Sequence, residues 1–347
     1  MHLDIFKAYG FTDAPITSKA FGTGLINHTW KLTYKYKDYI LQRINDNVFK
    51  QPADITNNIR LLAEYFKKHH PDYFFVAPVK TINGTEMLYV KDEGYFRMFP
   101  FVMGSHAKDV LKIPAEAYEA ATQFGRFTKL LAGFPINDLK VSIPDFHNLS
   151  LRYRQFLNAQ KNGNPQRIKE TEILIKELMG YTNIVTQYEN IIKDKNFKHR
   201  VTHHDTKISN VLFNDKGKGL CVIDLDTVMP GYFISDVGDM MRTYLSPVNE
   251  EEKDFSKITI REEFYNAIVN GYYNEMKEVL TQTEKKHFFY AGTFMIYMQA
   301  IRFLTDYLND DKYYGSKYPG QNLVRAGNQA VLLQLLFKKE KTFAGLL

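Results

Sequence analysis

The chain carries one cysteine, Cys221, in 347 residues. It can form no internal disulfide, so a small fold stapled by disulfides is excluded and a reducing compartment fits. Cys221 lies in the apolar run Leu220-Cys221-Val222-Ile223 and reads as a buried strand residue. No apolar run reaches the ~18 residues that span a bilayer. The opening residues Met1 to Lys7 lack a secretory pattern, so the expectation is a cytoplasmic protein with no membrane partner. Dense Lys/Arg runs are absent too; Lys67-Lys68-His69-His70 comes nearest and reads as a solvated helix end. The net charge of +6 is mild for this length. It does not argue for nucleic acid, yet it suits a small polyanion such as a nucleotide. A Gly-x-x-x-x-Gly-Lys-Ser/Thr phosphate loop is missing, since Gly217-Lys218 is followed by Gly219. Internal repeats and low-complexity tracts are absent as well.

What is present is a soluble globular composition, 44% apolar and 24% charged, in a chain long enough for two lobes. The most informative stretch runs from His203 through Asp205 and Asn210 to Phe213, then from Cys221 through Asp224 to Thr227. Val211-Leu212-Phe213 and Leu220-Cys221-Val222-Ile223 predict two paired strands around the turn Asn214-Asp215-Lys216-Gly217-Lys218-Gly219. Counting outward from Gly217 sets Asn210 opposite Asp224, with Asp205 just before them. An amide oxygen beside a carboxylate suits Mg²⁺, which uses one or two protein ligands plus substrate phosphates. His-x-Asp-x-x-x-x-Asn followed by an Ile-Asp strand end is the catalytic arrangement of kinase-like phosphotransferases. Asp205 is then the candidate base, and Asn210 and Asp224 the candidate metal ligands.

The segments before it suit a nucleotide-binding lobe. Phe21-Gly22-Thr23-Gly24 sits between strand-like runs, and Gly22 and Gly24 would let backbone approach phosphates. A third glycine is lacking, with Asn27 in its place. Arg43 ends a strand and is a candidate phosphate-pairing cation, with Glu64 as its possible brace. A helix is expected over 52–69 from Ile55, Ile59, Leu62, Ala63 and Phe66. A hairpin is expected from Val76–Ile82 and Glu86–Val90. A last strand over 94–102 contains Phe99, Pro100 and Phe101 and suits a hinge whose main chain reads adenine. Further helices are expected over 114–132, 165–195, 258–280, 283–309 and 320–339.

Two other chemistries compete. Asp224-Leu225-Asp226-Thr227-Val228 also resembles the nucleophile motif of haloacid-dehalogenase-like phosphatases. That fold needs parallel strands afterwards, whereas the chain beyond residue 250 reads as helical. A Zn²⁺ site from His199, His203 and His204 lacks a completing ligand.

The sequence resembles the aminoglycoside phosphotransferase/choline kinase-like superfamily, and within it the sugar 1-kinases that act on N-acetylhexosamines. The resemblance rests on Asp205 to Leu212, Cys221 to Gly231, Asp236-Val237-Gly238-Asp239, Ile40 to Asn45, Arg302 to Tyr307 and Gln321 to Ala326. It implies an α+β, bilobal protein-kinase-like fold: residues 1–102 with an antiparallel sheet and helices, and a larger, mainly helical lobe over 103–347. It also implies ATP- and Mg²⁺-dependent phosphorylation of the anomeric hydroxyl of N-acetylglucosamine or N-acetylgalactosamine. Carried over by position, Asp205 is the base and Asn210 and Asp224 form the metal side. Substrate contacts would fall on His28, Asp205, Thr227, Arg302 and Tyr313. The candidate nucleotide contacts, read from the N-terminal segments themselves, are Gly22, Gly24, Arg43, Phe99 and Phe101. Same-fold kinases for homoserine, choline or an aminoglycoside remain the alternative. The expected partners are a small sugar and a nucleotide.

Overall fold

The computed structural model describes residues 3–22 and 27–343. Its elements begin with α1 (Leu3–Ala8), β1 (Ile16–Ala20), β2 (His28–Tyr34), β3 (Lys37–Arg43), α2 (Pro52–His69), β4 (Leu88–Val90), β5 (Gly94–Pro100) and β6 (Ser105–His106). They continue with α3 (Pro114–Leu130), α4 (Leu149–Asn162), α5 (Pro165–Glu170), α6 (Glu172–Met179), α7 (Thr182–Ile191), β7 (Arg200–Thr202), β8 (Val211–Asn214), β9 (Gly219–Val222) and β10 (Met229–Gly231). The last are α8 (Phe233–Tyr244), α9 (Glu262–Met276), α10 (Gln282–Lys285), α11 (Phe288–Leu308), α12 (Gln321–Lys338) and α13 (Glu340–Phe343). The class is α+β, an antiparallel-sheet N-terminal part followed by a helical C-terminal part. The chain divides into two compact units: Met1–Ala107 with Gly133–Pro144 and Leu212–Pro230, and the remainder.

In the first unit the sheet order is β1-β2-β3-β5-β4, with antiparallel neighbours. Alternation sends Leu32, Leu41, Phe96 and Met98 into a core with Ile5 and Phe6 of α1. Helix α2 starts with Pro52 at its first turn and carries Lys67, Lys68 and His69 in its last, as the backbone dipole favours. Its buried stripe of Ile55, Ile59, Leu62 and Phe66 includes one polar residue, Asn58. The Asn58 amide donates to the Lys140 (2.8 Å) and Val228 (3.2 Å) carbonyls and accepts from the Lys140 amide (2.8 Å). That single side chain fixes the segment following Asp224 onto α2. Residues 76–82 do not form the expected strand. Pro78 removes a ladder donor there, and only Val79 N reaches the sheet, at Met98 O (2.7 Å). The hairpin of β8 and β9 forms as expected. Its turn is closed by Asn214 N to Lys218 O and Gly217 N to Asn214 O, both 2.9 Å, and Gly217 takes φ 74°. β9 stops at Val222, so Asp224 stands two residues beyond the strand in left-handed backbone (φ 59°).

The second unit is helical around α11, whose residues from Phe288 to Leu308 are almost all buried. Helix α8 packs closely against it: a Cβ on Gly238 would lie 2.3 Å from the Ala291 carbonyl. Residues 165–195, expected as one or two helices, break into α5, α6 and α7 at Thr171 and at Gly180-Tyr181. Helix α4, which the apolar spacing did not announce, is capped by the Asn148 side chain accepting from Leu151 N at 3.0 Å. Among the described residues no helix is long and apolar enough to cross a membrane.

Candidate active site

In the second unit, the loop after β7 is held almost atom by atom by α8. Two aspartates three residues apart on that helix, Asp236 and Asp239, are both buried. The Asp236 carboxylate accepts the amides of His203 (3.1 Å) and His204 (2.7 Å), and Asp239 accepts the amide of Thr206 (2.8 Å). Thr206 Oγ1 donates to the Asp236 carbonyl (2.8 Å), and Tyr244 Oη donates to the Thr206 carbonyl (2.5 Å). The loop backbone thus has its polar groups satisfied by one helix, as buried main chain requires. His204 takes φ 67°, a strained conformation for a non-glycine residue, and its ring is tied to Thr202 Oγ1 (2.7 Å) and Ser235 Oγ (2.8 Å). A Cβ on Gly231 would lie 2.4 Å from both the His204 ring and Thr202 Oγ1, so only glycine fits beside that histidine. The His203 ring sits edge-on to Phe124, at 5.1 Å between centroids, and anchors the loop on its other side.

This clamp presents Asp205. Its Oδ2 accepts from Lys207 Nζ (2.8 Å) and Asn210 Nδ2 (3.1 Å), while Oδ1 has no donor among the described residues. Burial raises the Asp205 pKa, but the Lys207 charge and hydrogen bond, His203 and Asn210 outweigh it, and the carboxyl is held below its ordinary value. Asp236 goes the other way, pushed up to about 6 by burial, and Asp239 is likewise raised by burial. Asn210 donates through Nδ2 to the Asp205 carbonyl (2.8 Å) as well. Both of its amide donors are therefore turned inward, and Oδ1 has no donor among the described residues.

In the first unit the turn after Asp224 is organised by a buried ion pair. Arg97 on β5 meets Asp226 Oδ1 at 2.5 Å, with both side chains 2% exposed. Arg97 also donates to Gln42 Oε1 (3.1 and 2.9 Å), and Asn27 Nδ2 donates to Asp226 Oδ2 (2.8 Å). Asn27 Oδ1 in turn accepts from Asn45 N at 3.0 Å. Asn27, which stands where a third glycine was sought, ties the loop to this pair. The buried cation of the sheet is thus Arg97. Arg43 ends β3 exposed, opposite His28 in the β2–β3 ladder, and Glu64 pairs with Arg60 (2.9 Å). Gly22 takes φ 79°; Gly24 lies outside the described residues. The Phe101 ring lies 3.8 Å below Lys31 Nζ and 5.9 Å from the Phe21 ring, while Phe99 stacks 5.1 Å from the Arg97 guanidinium. Phe101 N donates to Asp38 O (3.0 Å), so that amide is already engaged. Thr227 is buried in the turn that follows Asp224.

The second unit also holds a cavity of about 400 Å³, lined among others by Arg152, Arg302, Asp306, Lys312, Tyr313 and Tyr314. Arg302 and Tyr313 are thereby brought together; Asp205 is not in its lining. The guanidinium of Arg302 lies 5.7 Å from the Phe146 ring and 5.9 Å from that of Tyr313. The Tyr313 loop is held by Asp306, which accepts the amides of Tyr313 (2.7 Å) and Tyr314 (2.9 Å).

Sequence reasoning gave no role to Lys207, Asp236, Asp239, Arg97 or Arg152. The two helix aspartates carried a signal, carboxylates one turn apart inside an apolar helix. Arg97, alternating with apolar residues in a core strand, carried a weaker one. For a metal, no group of three or more His, Cys, Asp or Glu is clustered among the described residues. Mg²⁺ takes a sparse set of protein oxygens alongside phosphates, and the Asn210 amide oxygen, which accepts from no donor among the described residues, is of that kind.

Fold and catalytic loop together define a phosphotransferase of kinase-like architecture. The family model described as the phosphotransferase enzyme family matches residues 17–278, and the chain belongs to that family. Similar solved structures include the microcompartment-associated aminopropanol kinase (16% identity, TM-score 0.66, covering 99% of this chain and 98% of that one). An aminoglycoside phosphotransferase from Alicyclobacillus acidocaldarius is 14% identical, with TM-score 0.65 and coverage of 99% and 97%. A choline kinase from Streptococcus pneumoniae is 12% identical, with TM-score 0.56 and coverage of 95% and 98%.

Proposed function

We propose that this protein is an ATP- and Mg²⁺-dependent small-molecule kinase, and that its acceptor is the anomeric 1-hydroxyl of an N-acetylhexosamine. The observation that carries the kinase reading is Asp205: an ionised carboxylate with one oxygen held by Lys207 and Asn210 and the other open. In the reaction the acceptor oxygen attacks the γ-phosphorus of the nucleotide. An O–P bond forms, the bridging O–P bond to the β-phosphate breaks, ADP leaves, and the acceptor proton passes to Asp205 Oδ1. Asn210 and Asp224 would hold Mg²⁺, which when bound neutralises phosphate charge. Lys207 and α8 keep the base aimed and charged. Gly22, Arg43, Phe99 and Phe101 are proposed for the nucleotide, and Gly24 joins them from the sequence alone.

The sugar reading is supported by the cavity that carries Arg302 and Tyr313. Its size lies within the range of small-ligand sites. Guanidinium and phenol groups beside aromatic rings suit the hydroxyls and apolar face of a sugar. His28 and Thr227 complete the proposed acceptor contacts. A coupled ATP-turnover screen over N-acetylhexosamines, hexoses, homoserine, choline and aminoglycosides tests the reading, with phosphorus NMR locating the phosphate. Phosphate on the anomeric oxygen is expected. Phosphate on O6, or turnover confined to the other acceptors, overturns it.

A further inference from the structure

The same cavity contains more positive charge than a sugar site requires, three cations against the single carboxylate Asp306. Arg152 on α4 and Arg302 on α11 both line it. Arg302 bonds to a neutral partner, Gln299 Oε1, at 3.0 Å. Arg152 bonds to Gln155 Oε1 (3.1 Å) and the Asp145 carbonyl (3.0 Å), while its buried Nε has no partner. Among the described residues neither guanidinium has a carboxylate within ion-pairing distance. Burial and the charge of Arg302 push the Arg152 pKa down, as expected of two cations sharing one desolvated wall.

The carboxylates nearby are engaged elsewhere. Asp306 is the one acid in the lining, and it accepts the Tyr313 and Tyr314 amides and Asn322 Nδ2 (3.1 Å). Asp311 pairs with Arg167 at 2.7 Å and accepts from Asn322 Nδ2 at 2.8 Å. Asp310 accepts from Asn164 Nδ2 at 2.9 Å, and the Asp145 carboxylate accepts from Asn148 Nδ2 at 2.8 Å. Lys312 adds a third cation at the exposed side.

We infer that Arg152 is a specificity-determining residue of this cavity: with Arg302 it offers guanidinium donors to a neutral, oxygen-rich acceptor and rejects any acceptor that carries an ammonium group. The inference rests on the reading of the cavity as the acceptor site. An amide carbonyl or hydroxyl oxygen can accept from guanidinium N–H groups of this lining without needing a charge of its own. An ammonium would meet three cations in this lining, Arg152, Arg302 and Lys312, against one carboxylate, Asp306, whose oxygens already accept the Tyr313, Tyr314 and Asn322 N–H groups.

Binding calorimetry on the full chain tests this with matched pairs, an amine and its N-acetyl amide on one skeleton, at a pH that keeps the amine protonated. The pairs are glucosamine with N-acetylglucosamine, galactosamine with N-acetylgalactosamine, and ethanolamine with N-acetylethanolamine. The variants are Arg152→Gln, Arg152→Lys and, as a control on the exposed side of the same helix, Arg154→Gln. In the unaltered protein the amide is expected to bind at least about tenfold more tightly than the ammonium partner. Arg152→Gln should bring the ratio within about threefold, with Arg152→Lys and Arg154→Gln keeping it. Raising the salt should narrow the ratio in the unaltered protein more than in Arg152→Gln. An unchanged ratio in a folded Arg152→Gln variant, or tighter binding of the ammonium partner to the unaltered protein, overturns the inference. Binding of only the ethanolamine pair with the expected ratios overturns the sugar reading and leaves the charge rule standing. No binding on any skeleton overturns both.

Discussion

Asp226 and Asp205 lie in loops only 21 residues apart, yet the structure gives them opposite tasks. Asp226, in the first unit, is sealed against Arg97 at 2.5 Å, with Asn27 on its second oxygen. Asp205, in the second, is 23% exposed, shares one oxygen with the half-open Lys207 and has no donor to the other among the described residues. A carboxylate whose two oxygens are both consumed by buried partners organises a turn. One with a single oxygen consumed is ionised, aimed and still available to a reactant. Removing the partner should therefore damage the fold in the first case and the chemistry in the second.

The largest effect is expected from Asp205→Asn. Loss of the base should lower kcat by a factor of about 10²–10⁴, with thermal stability and nucleotide affinity by calorimetry nearly unchanged. A variant that turns over normally would remove Asp205 as base. Next comes Arg97→Met, which strands a buried carboxylate and should cost about 3–5 kcal/mol. Urea unfolding should show the midpoint falling with an unchanged slope; a loss below about 1 kcal/mol would mean the pair is dispensable.

The clamp beneath Asp205 predicts a pH effect of defined sign. Asp236 is raised to about 6 by burial, above the ~3.9 of a free carboxyl. The native state therefore binds the extra proton between those values. Its contribution is full below about pH 4 and is lost as pH rises to about 6, on the order of 3 kcal/mol for a shift of about two units. Urea unfolding from pH 4 to 7 should show Asp236→Asn lacking this decline; parallel pH curves for the two proteins would contradict it. The smallest effect is expected from Lys207→Met. This partly exposed pair should contribute less than about 1 kcal/mol to stability. Its removal should still move the acidic limb of kcat/KM upward, because Lys207 is the main group holding the Asp205 pKa down. An unmoved limb would separate Lys207 from the base.

Much of the site was legible because its spacing is local. The turn around Gly217 could be placed from residues that tolerate positive φ, and Asp205 and Asn210 lie five positions apart, within reach of a short loop. The stripe of α2 could be read from helical periodicity, but Asn58 within it could not be given a purpose, since its partners lie 82 and 170 residues away. Arg43 drew attention as a strand-end cation, while Arg97 became the buried one, because alternation does not say which face carries a compensating carboxylate. The strand expected over 76–82 failed at Pro78, where local chemistry was present in the sequence and outweighed by hydrophobic pattern. Arg152 lies on a helix that apolar spacing did not mark at all.

By itself the sequence determined the α+β class and pointed to the loop around Asp205 and to residue types able to act as base and metal donors, because these depend on short-range spacing and side-chain chemistry. Only the tertiary structure decided which carboxylate is sealed and which is open, that α8 clamps the loop presenting Asp205, and that two arginines line one cavity with a single carboxylate. Burial and partner choice are properties of residues distant in the chain, and they set charge, pKa and reach.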